Sequence, residues 1–183
     1  TISFNKPSKK IKELYTRVLK GHIAVVTSKI DKIKNGHNLD KLARKNLKLV
    51  NLNYSHGTGH GVGHYLSVHE GPHRISKFSN VAFKEGMIVS NEPGYYHEGK
   101  FGIRIENLIL VQKSEIEPSN SFLEFETLSF VPIDQRLISV RLLNEHEIEW
   151  INNYHLQCWE KVYNKVDTKT QAWLENMTKP IKK

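Results

Sequence analysis

The stretch YSHGTGHGVGHYLSVHEGPH holds His56, His60, His64, His69 and His73, five of the chain's ten histidines, with Gly57, Gly59, Gly61 and Gly63 threaded among the first three. Imidazoles at this density can ligate a metal, relay protons, or add polarity to a loop without chemistry. Three histidines four residues apart would line one face of a helix, as in metal-binding helices, but the interposed glycines oppose a helix. The stretch therefore reads as a loop running into a strand, with HYLSVH alternating sides. Its glycines let the backbone lie close to a bound group.

Histidines alone leave the chemistry open, so hard oxygen donors are needed, and two carboxylates stand inside strand-like apolar runs. Glu92 lies in SNEPGYY, ahead of Pro93, which biases it toward an extended backbone at a strand end. Glu106 lies in GIRIENLIL, two residues after Arg104, so the two side chains share a face of a continuous strand. A carboxylate in such a run is costly to bury unless it is paired or holds a cation. Each also has a bland reading: an Arg–Glu ion pair across strands for Glu106 and a solvated turn carboxylate for Glu92.

The elements that must carry these residues follow from periodicity. Ile11, Leu14, Tyr15, Val18, Leu19, Ile23 and Val26 recur at helical spacing and predict a helix from Lys9 to about Ile30, with Ser8 as N-cap. A second helix is expected from Asn38, as N-cap, to about Val50, after a turn through DKIKNGHN. Beyond the histidines, GMIVSNEP, GIRIENLILV and FLEFETLSFVPI read as strands, with EIEPSNS as a loop. From Asn144 the helical period returns through EHEIEWINNYHLQCWEKVYNKV, and TKTQAWLENM forms a last short helix. Two helices, a run of strands, then helices predict an α+β fold with an antiparallel sheet flanked by helices.

With 183 residues and 38% hydrophobic content, the chain can bury the core of one domain. Its 27 Lys and Arg against 19 Asp and Glu give a net charge of +8, which raises the question of an anionic partner. The lysines are scattered over helix faces without interleaved aromatics, so no nucleic acid is expected as a partner. A single cysteine, Cys158, rules out a disulfide framework and a cysteine-rich zinc site, and reads as a buried thiol. No apolar run reaches the length of a membrane span, so no membrane partner is expected. A cytoplasmic setting fits these features. The chain opens TISFNKPSKK without an initiating methionine, which suggests a piece of something longer.

Three motifs, HGTGHGVGHYLSVHEGP, EGMIVSNEPGYY and FGIRIENLILV, follow one another in the order found in the Xaa-Pro aminopeptidase (aminopeptidase P) branch of the pita-bread metallopeptidases, which the chain resembles. The likeness extends through LDKLAR before them and FETLSFVPIDQRLI, WINNYH and AWLENM after them. It implies the pita-bread (creatinase/aminopeptidase-like) fold, here incomplete. Residues 1–135 would be the C-terminal part of the metallopeptidase domain and residues 136–183 the family's C-terminal helical extension. It also implies a hydrolase that removes the residue before proline, acting on peptides with proline in second position, with a homodimer as an assembly.

By the same resemblance, two divalent metal ions, Mn²⁺ with Zn²⁺ or Co²⁺ as alternatives, would be held by two Asp, one His and two Glu. His60 matches the metal-binding histidine, and Glu92 and Glu106 match the glutamates. His56 and His69 match histidines that handle substrate and protons. Glu92 would also accept the proton of water, and Arg104 matches a residue that buttresses the ligands. His64 and His73 match no assigned role and are expected at the surface or in packing.

The family's two aspartates would lie upstream of a sequence like ISFNKPS, and the acids before His56, namely Glu13, Asp31 and Asp40, fall on helices or their linker. KIKNG also departs from the family's usual turn. The chain alone is therefore expected to bind metal weakly and hydrolyse little, with the missing N-terminal part of the enzyme as a partner. Two other readings stand beside this one. The first is a pita-bread pseudo-enzyme or binding remnant that has lost its metals. The second, resting on charge alone, is a nucleic-acid-binding protein.

Overall fold

A computed structural model of the chain describes residues 1–30, 35–65, 67–114 and 122–183. Two compact units emerge: Val18–Ser129, and Thr1–Arg17 together with Phe130–Lys183. Helix α1, Lys9–Val26, begins in one and ends in the other.

The Val18–Ser129 unit carries every residue singled out above for chemistry. Its helical part is the end of α1 and helix α2, Gly36–Lys48. Leu19, Ile23 and Val26 of α1 and Leu39, Ala43 and Leu47 of α2 are buried, as their three- and four-residue spacing requires. At Gly21 an added Cβ would lie 2.1 Å from the Ala43 carbonyl oxygen, so only glycine permits the two helices to approach this closely. Thr27 and Ser28 end α1 earlier than the expected Ile30. Their hydroxyls bond back to the carbonyls of Ile23 and Ala24, and Ile30 pairs instead with Leu123. Helix α2 also begins earlier than expected. Asn35 is the N-cap, and Asn38 is the third helical residue, its side chain closing a reciprocal capping box. Residues 31–34 of the predicted turn and the predicted loop 115–121 lie outside the described residues.

Among the described residues seven short strands follow: β1 Gly59–His60, β2 Arg74–Ile75, β3 Ile88–Asn91, β4 Gly94–His97, β5 Phe101–Arg104, β6 Asn107–Lys113 and β7 Leu123–Thr127. They form three antiparallel ladders, β1–β2, β3–β6–β7 and β4–β5, and the bridge Gly61–Val89 ties the β1 segment to β3. The register sets Asn91 opposite Asn107 and Gly94 opposite Arg104. Along β6, Asn107, Ile109 and Val111 are buried and their neighbours are not, the period-two pattern of a sheet with one face inward.

Three expectations are corrected in this unit. GIRIENLILV is two strands, not one, because the backbone leaves the ladders at Ile105 and Glu106. GYYH is a strand that periodicity did not predict. The described residues of HYLSVH do not alternate in a strand, since Gly63 N–H bonds Ser67 O and Glu70 N–H bonds Gly61 O, closing a loop.

In the other unit, helices α3, Glu145–Val162, and α4, Thr168–Met177, follow two short 3₁₀ turns. Asn144 caps α3 in a capping box with Glu147, and Asp167 caps α4. Asp134 is buried, which alone would raise its pKa, but hydrogen bonds from Arg136 and the Ser3 N–H hold it below the ordinary value. Trp150 stacks on Tyr154 at 5.3 Å with 5° between the planes, and the Tyr154 hydroxyl bonds the backbone of Val131. Cys158 is buried, as expected of a thiol acting as a small hydrophobe.

Candidate metal centre

His60 is placed by β1. An added Cβ at the preceding residue, Gly59, would lie 1.8 Å from the Ser90 carbonyl oxygen, so the two backbones meet without an intervening side chain. The His60 N–H donates to Ser90 Oγ at 3.0 Å, and Ser90 Oγ donates to Glu92 Oε1 at 3.0 Å. One serine thus connects the histidine of β1 to the carboxylate just past β3. Glu92 N–H donates to the Thr58 carbonyl at 2.7 Å, a second tie between the same segments.

The side chains of His60, Glu92 and Glu106 converge, each offering one ligand atom, and these atoms lie within 4.8 Å of one another. Glu92 is buried, His60 half-buried and Glu106 exposed. His60 Nδ1 faces the Gly61 carbonyl at 3.0 Å, and because a carbonyl only accepts, the ring proton belongs there. That leaves Nε2 as an electron-pair donor, 3.2 Å from Glu92 Oε1. One imidazole nitrogen and two carboxylates suit a divalent cation, and their two negative charges balance one such ion. They do not balance two.

The break in the strand explains the position of Glu106. Arg104 ends β5 and Glu106 lies past it, so the two do not share one continuous strand as expected; Arg104 places Nη1 3.4 Å from Glu92 Oε2. The bland reading of Glu92 as a solvated turn carboxylate does not hold, since it is only 8% exposed.

His56 lies in the same cleft, a space of 420 Å³ that His60, His69, Phe78, Glu92 and Arg104 also line. Its Nδ1 is 2.6 Å from the Gly57 carbonyl and its Nε2 3.0 Å from the Tyr96 hydroxyl, which also accepts from Arg104 Nε at 2.7 Å. The Gly57 carbonyl only accepts, which puts a ring proton on Nδ1, and a neutral ring then takes the Tyr96 O–H at Nε2. Burial lowers the His56 pKa from its ordinary value, with Arg104 and Arg44 acting the same way against the Gly57 carbonyl and Glu92. His69 is exposed, its ring edge-on to His60 with centroids 4.2 Å apart. His64 is exposed, and His73 is buried against the Ile88 carbonyl at 2.7 Å, so the structure puts neither at the cluster. Among the acids weighed upstream, Asp40 is held by Arg44 and Thr58 and Glu13 pairs with Arg141; Asp31 is outside the described residues.

Sequence reasoning missed Tyr96 and Ser90. Ser90 carried a signal, since it stands two residues before Glu92 and so shares its side of a strand. Tyr96 required knowing that GYYH pairs with FGIR.

The comparisons with known proteins agree with this geometry. The sequence pattern of metallopeptidase family M24 matches residues 1–113, and that of the C-terminal region of peptidase M24 matches residues 121–181. A probable Xaa-Pro aminopeptidase P of Talaromyces marneffei is 46% identical over all of this chain and 29% of its own length, and aminopeptidase P2 of Arabidopsis thaliana is 46% identical over all of this chain and 27% of its own length. An X-prolyl aminopeptidase from Caenorhabditis elegans, described as a cytosolic enzyme with a di-nuclear active site, superposes with a TM-score of 0.91 at 37% identity, covering 97% of this chain and 30% of that one. A prolidase from Pyrococcus furiosus superposes with a TM-score of 0.60 at 31% identity over 71% of this chain and 35% of that one. The chain therefore spans about 30% of the length of the relatives it matches. Among the described residues, no helix is long and apolar enough to cross a membrane. The fold is the expected α+β pita-bread type, and the chain belongs to metallopeptidase family M24.

Proposed function

We propose that this chain carries the His–Glu–Glu half of the active site of a cytosolic, metal-dependent Xaa-Pro aminopeptidase, which releases the N-terminal residue of peptides with proline in second position. The observation that carries the reading is the convergence of His60, Glu92 and Glu106 in a chain 46% identical to named aminopeptidases P. In this reading residues 1–135 are metallopeptidase domain and residues 136–183 its helical extension. His60, Glu92 and Glu106 are ligands for Mn²⁺, and two further carboxylates of the whole protein complete a site for two ions. A homodimer is its assembly.

Divalent ions at such a site polarise the scissile carbonyl and make water nucleophilic at neutral pH. The side chains divide the remaining work. Glu92 accepts the proton of the attacking water, its two oxygens held by Ser90 and Arg104. His69 donates to the oxyanion that develops, because both ring nitrogens of His56 are already engaged by Gly57 and Tyr96. His56 contacts the substrate beside the scissile bond and holds Tyr96 against Arg104.

Calorimetric titration of the 183-residue chain with Mn²⁺ tests the ligand set. One weak site per chain is expected, lost in Glu92→Ala. Equal heats from the two proteins would overturn the assignment. Release of Xaa from an Xaa-Pro peptide should be slight for the chain alone. Substantial Mn²⁺-dependent release would show that two further carboxylates are not required.

A further inference from the structure

Asp40 and Arg44 stand four residues apart on α2, a spacing that on a solvated helix face contributes little. Here both are buried and Arg44 spends four N–H bonds. Nε donates to Asp40 Oδ2 at 2.8 Å, Nη1 to Asn53 Oδ1 at 2.8 Å and to the Tyr54 carbonyl at 2.6 Å, and Nη2 to the His56 carbonyl at 2.6 Å. Its guanidinium also lies 3.9 Å from the centre of the Tyr54 ring. With four of its five donors used inside the protein, Arg44 acts on the chain itself; three of its bonds end on Asn53, Tyr54 and His56, at the start of the histidine stretch.

The same carboxylate holds the next residue of the loop. Thr58 Oγ1 donates to Asp40 Oδ1 at 2.6 Å and accepts from the Tyr54 hydroxyl at 2.5 Å, while its carbonyl receives the Glu92 N–H. Burial pushes the Tyr54 phenol up to about 12, which keeps it a donor at neutral pH. One threonine is thereby joined to α2, to the start of the loop and to the backbone of Glu92 past β3.

We infer that Asp40, Arg44, Tyr54 and Thr58 form a clamp that sets the backbone of His56, His60 and Glu92, with Arg44 and Thr58 as positioning residues of the metal centre. A lysine at position 44 keeps the charge but cannot reach two carbonyls, an amide and a carboxylate at once. A valine at position 58 keeps the shape and loses both side-chain bonds.

The test uses Thr58→Val and Arg44→Lys in the 183-residue chain, with Val111→Ala as a control for general destabilisation. Backbone amide exchange is followed by NMR and Mn²⁺ binding by calorimetry. Exchange at Gly57, Gly59, Gly61 and Glu92 should accelerate about 10-fold more than at Ile109 and Phe125, and Mn²⁺ affinity should fall about 10- to 100-fold, as for other partners that orient a ligand. The control should accelerate both groups alike. Uniform acceleration in the clamp variants, or unchanged loop exchange, overturns the inference. If Thr58→Val does not fold, Arg44→Lys decides. The Mn²⁺ arm rests on the ligand assignment proposed above. Local acceleration in a chain whose unsubstituted form binds no Mn²⁺ would sink that assignment and leave the clamp standing.

Discussion

The two halves of the histidine-rich stretch share a composition and receive opposite treatment. Residues 54–61 are tied to α2, β2 and β3 by side chains and backbone alike. Beyond them Val62 still donates its N–H to the Ile88 carbonyl, but His64, Tyr65, Val68 and His69 are exposed, and the Gly63 N–H bonds Ser67 O within the loop itself. The same residue types thus make a held backbone in one half and a solvated rim in the other, and what separates them is the clamp beneath, not the histidines.

Arg44→Ala breaks the comparison most severely. It strands the buried Asp40 carboxylate and three acceptors near His56, and should cost about 3–5 kcal/mol of stability in urea unfolding. If the loss is below about 1 kcal/mol, the first half is no better held than the second.

A histidine in the other unit offers a second contrast with the exposed ones. His155 Nε2 accepts the Ile133 N–H, and burial lowers its pKa to about 4. The unfolded chain binds a proton near pH 6.5 that the folded chain refuses, so this stability is present above 6.5 and lost as pH falls from 6.5 toward 4. The loss is on the order of 3 kcal/mol. Burial also lowers the His22 pKa to about 4, so His155→Gln should remove roughly half of the slope in that window, whereas His64→Ala should leave it unchanged.

The smallest effect sharpens the comparison at its edge. Tyr96→Phe removes the hydroxyl that bridges His56 and Arg104, and should cost about 1 kcal/mol in the same unfolding assay. His64→Ala should stay within about 0.5 kcal/mol. Equal costs would mean that the 54–61 half gains nothing from its side-chain partners.

Much of this was legible in the sequence. The return of the helical period from Asn144, the span of α4, the burial of Cys158 and the convergence of His60, Glu92 and Glu106 follow from periodicity, the habits of a lone thiol and the family motifs. The break at Ile105–Glu106 was not, because an unbroken run of strand-forming residues carries no mark of where a ladder ends. The sequence does not separate Asn35 from Asn38 as the cap, because they have the same side chain and only the backbone says which lies outside the helix. The clamp was invisible for another reason. Asp40 and Arg44 have the spacing of any helix-surface ion pair, and their burial depends on a loop that returns from ten to eighteen residues away.

The stack of Trp150 on Tyr154 has a practical consequence. All three tryptophans, Trp150, Trp159 and Trp173, belong to the unit that lacks the metal-centre residues, whereas Tyr54, Tyr65, Tyr95 and Tyr96 belong to the unit that holds them. Tryptophan emission therefore watches one body, whereas tyrosine emission watches both, since Tyr15, Tyr154 and Tyr163 sit with the tryptophans, and a transition of the other body appears in the tyrosine signal alone. Unfolding followed at both wavelengths would resolve whether the two melt together, with no label attached.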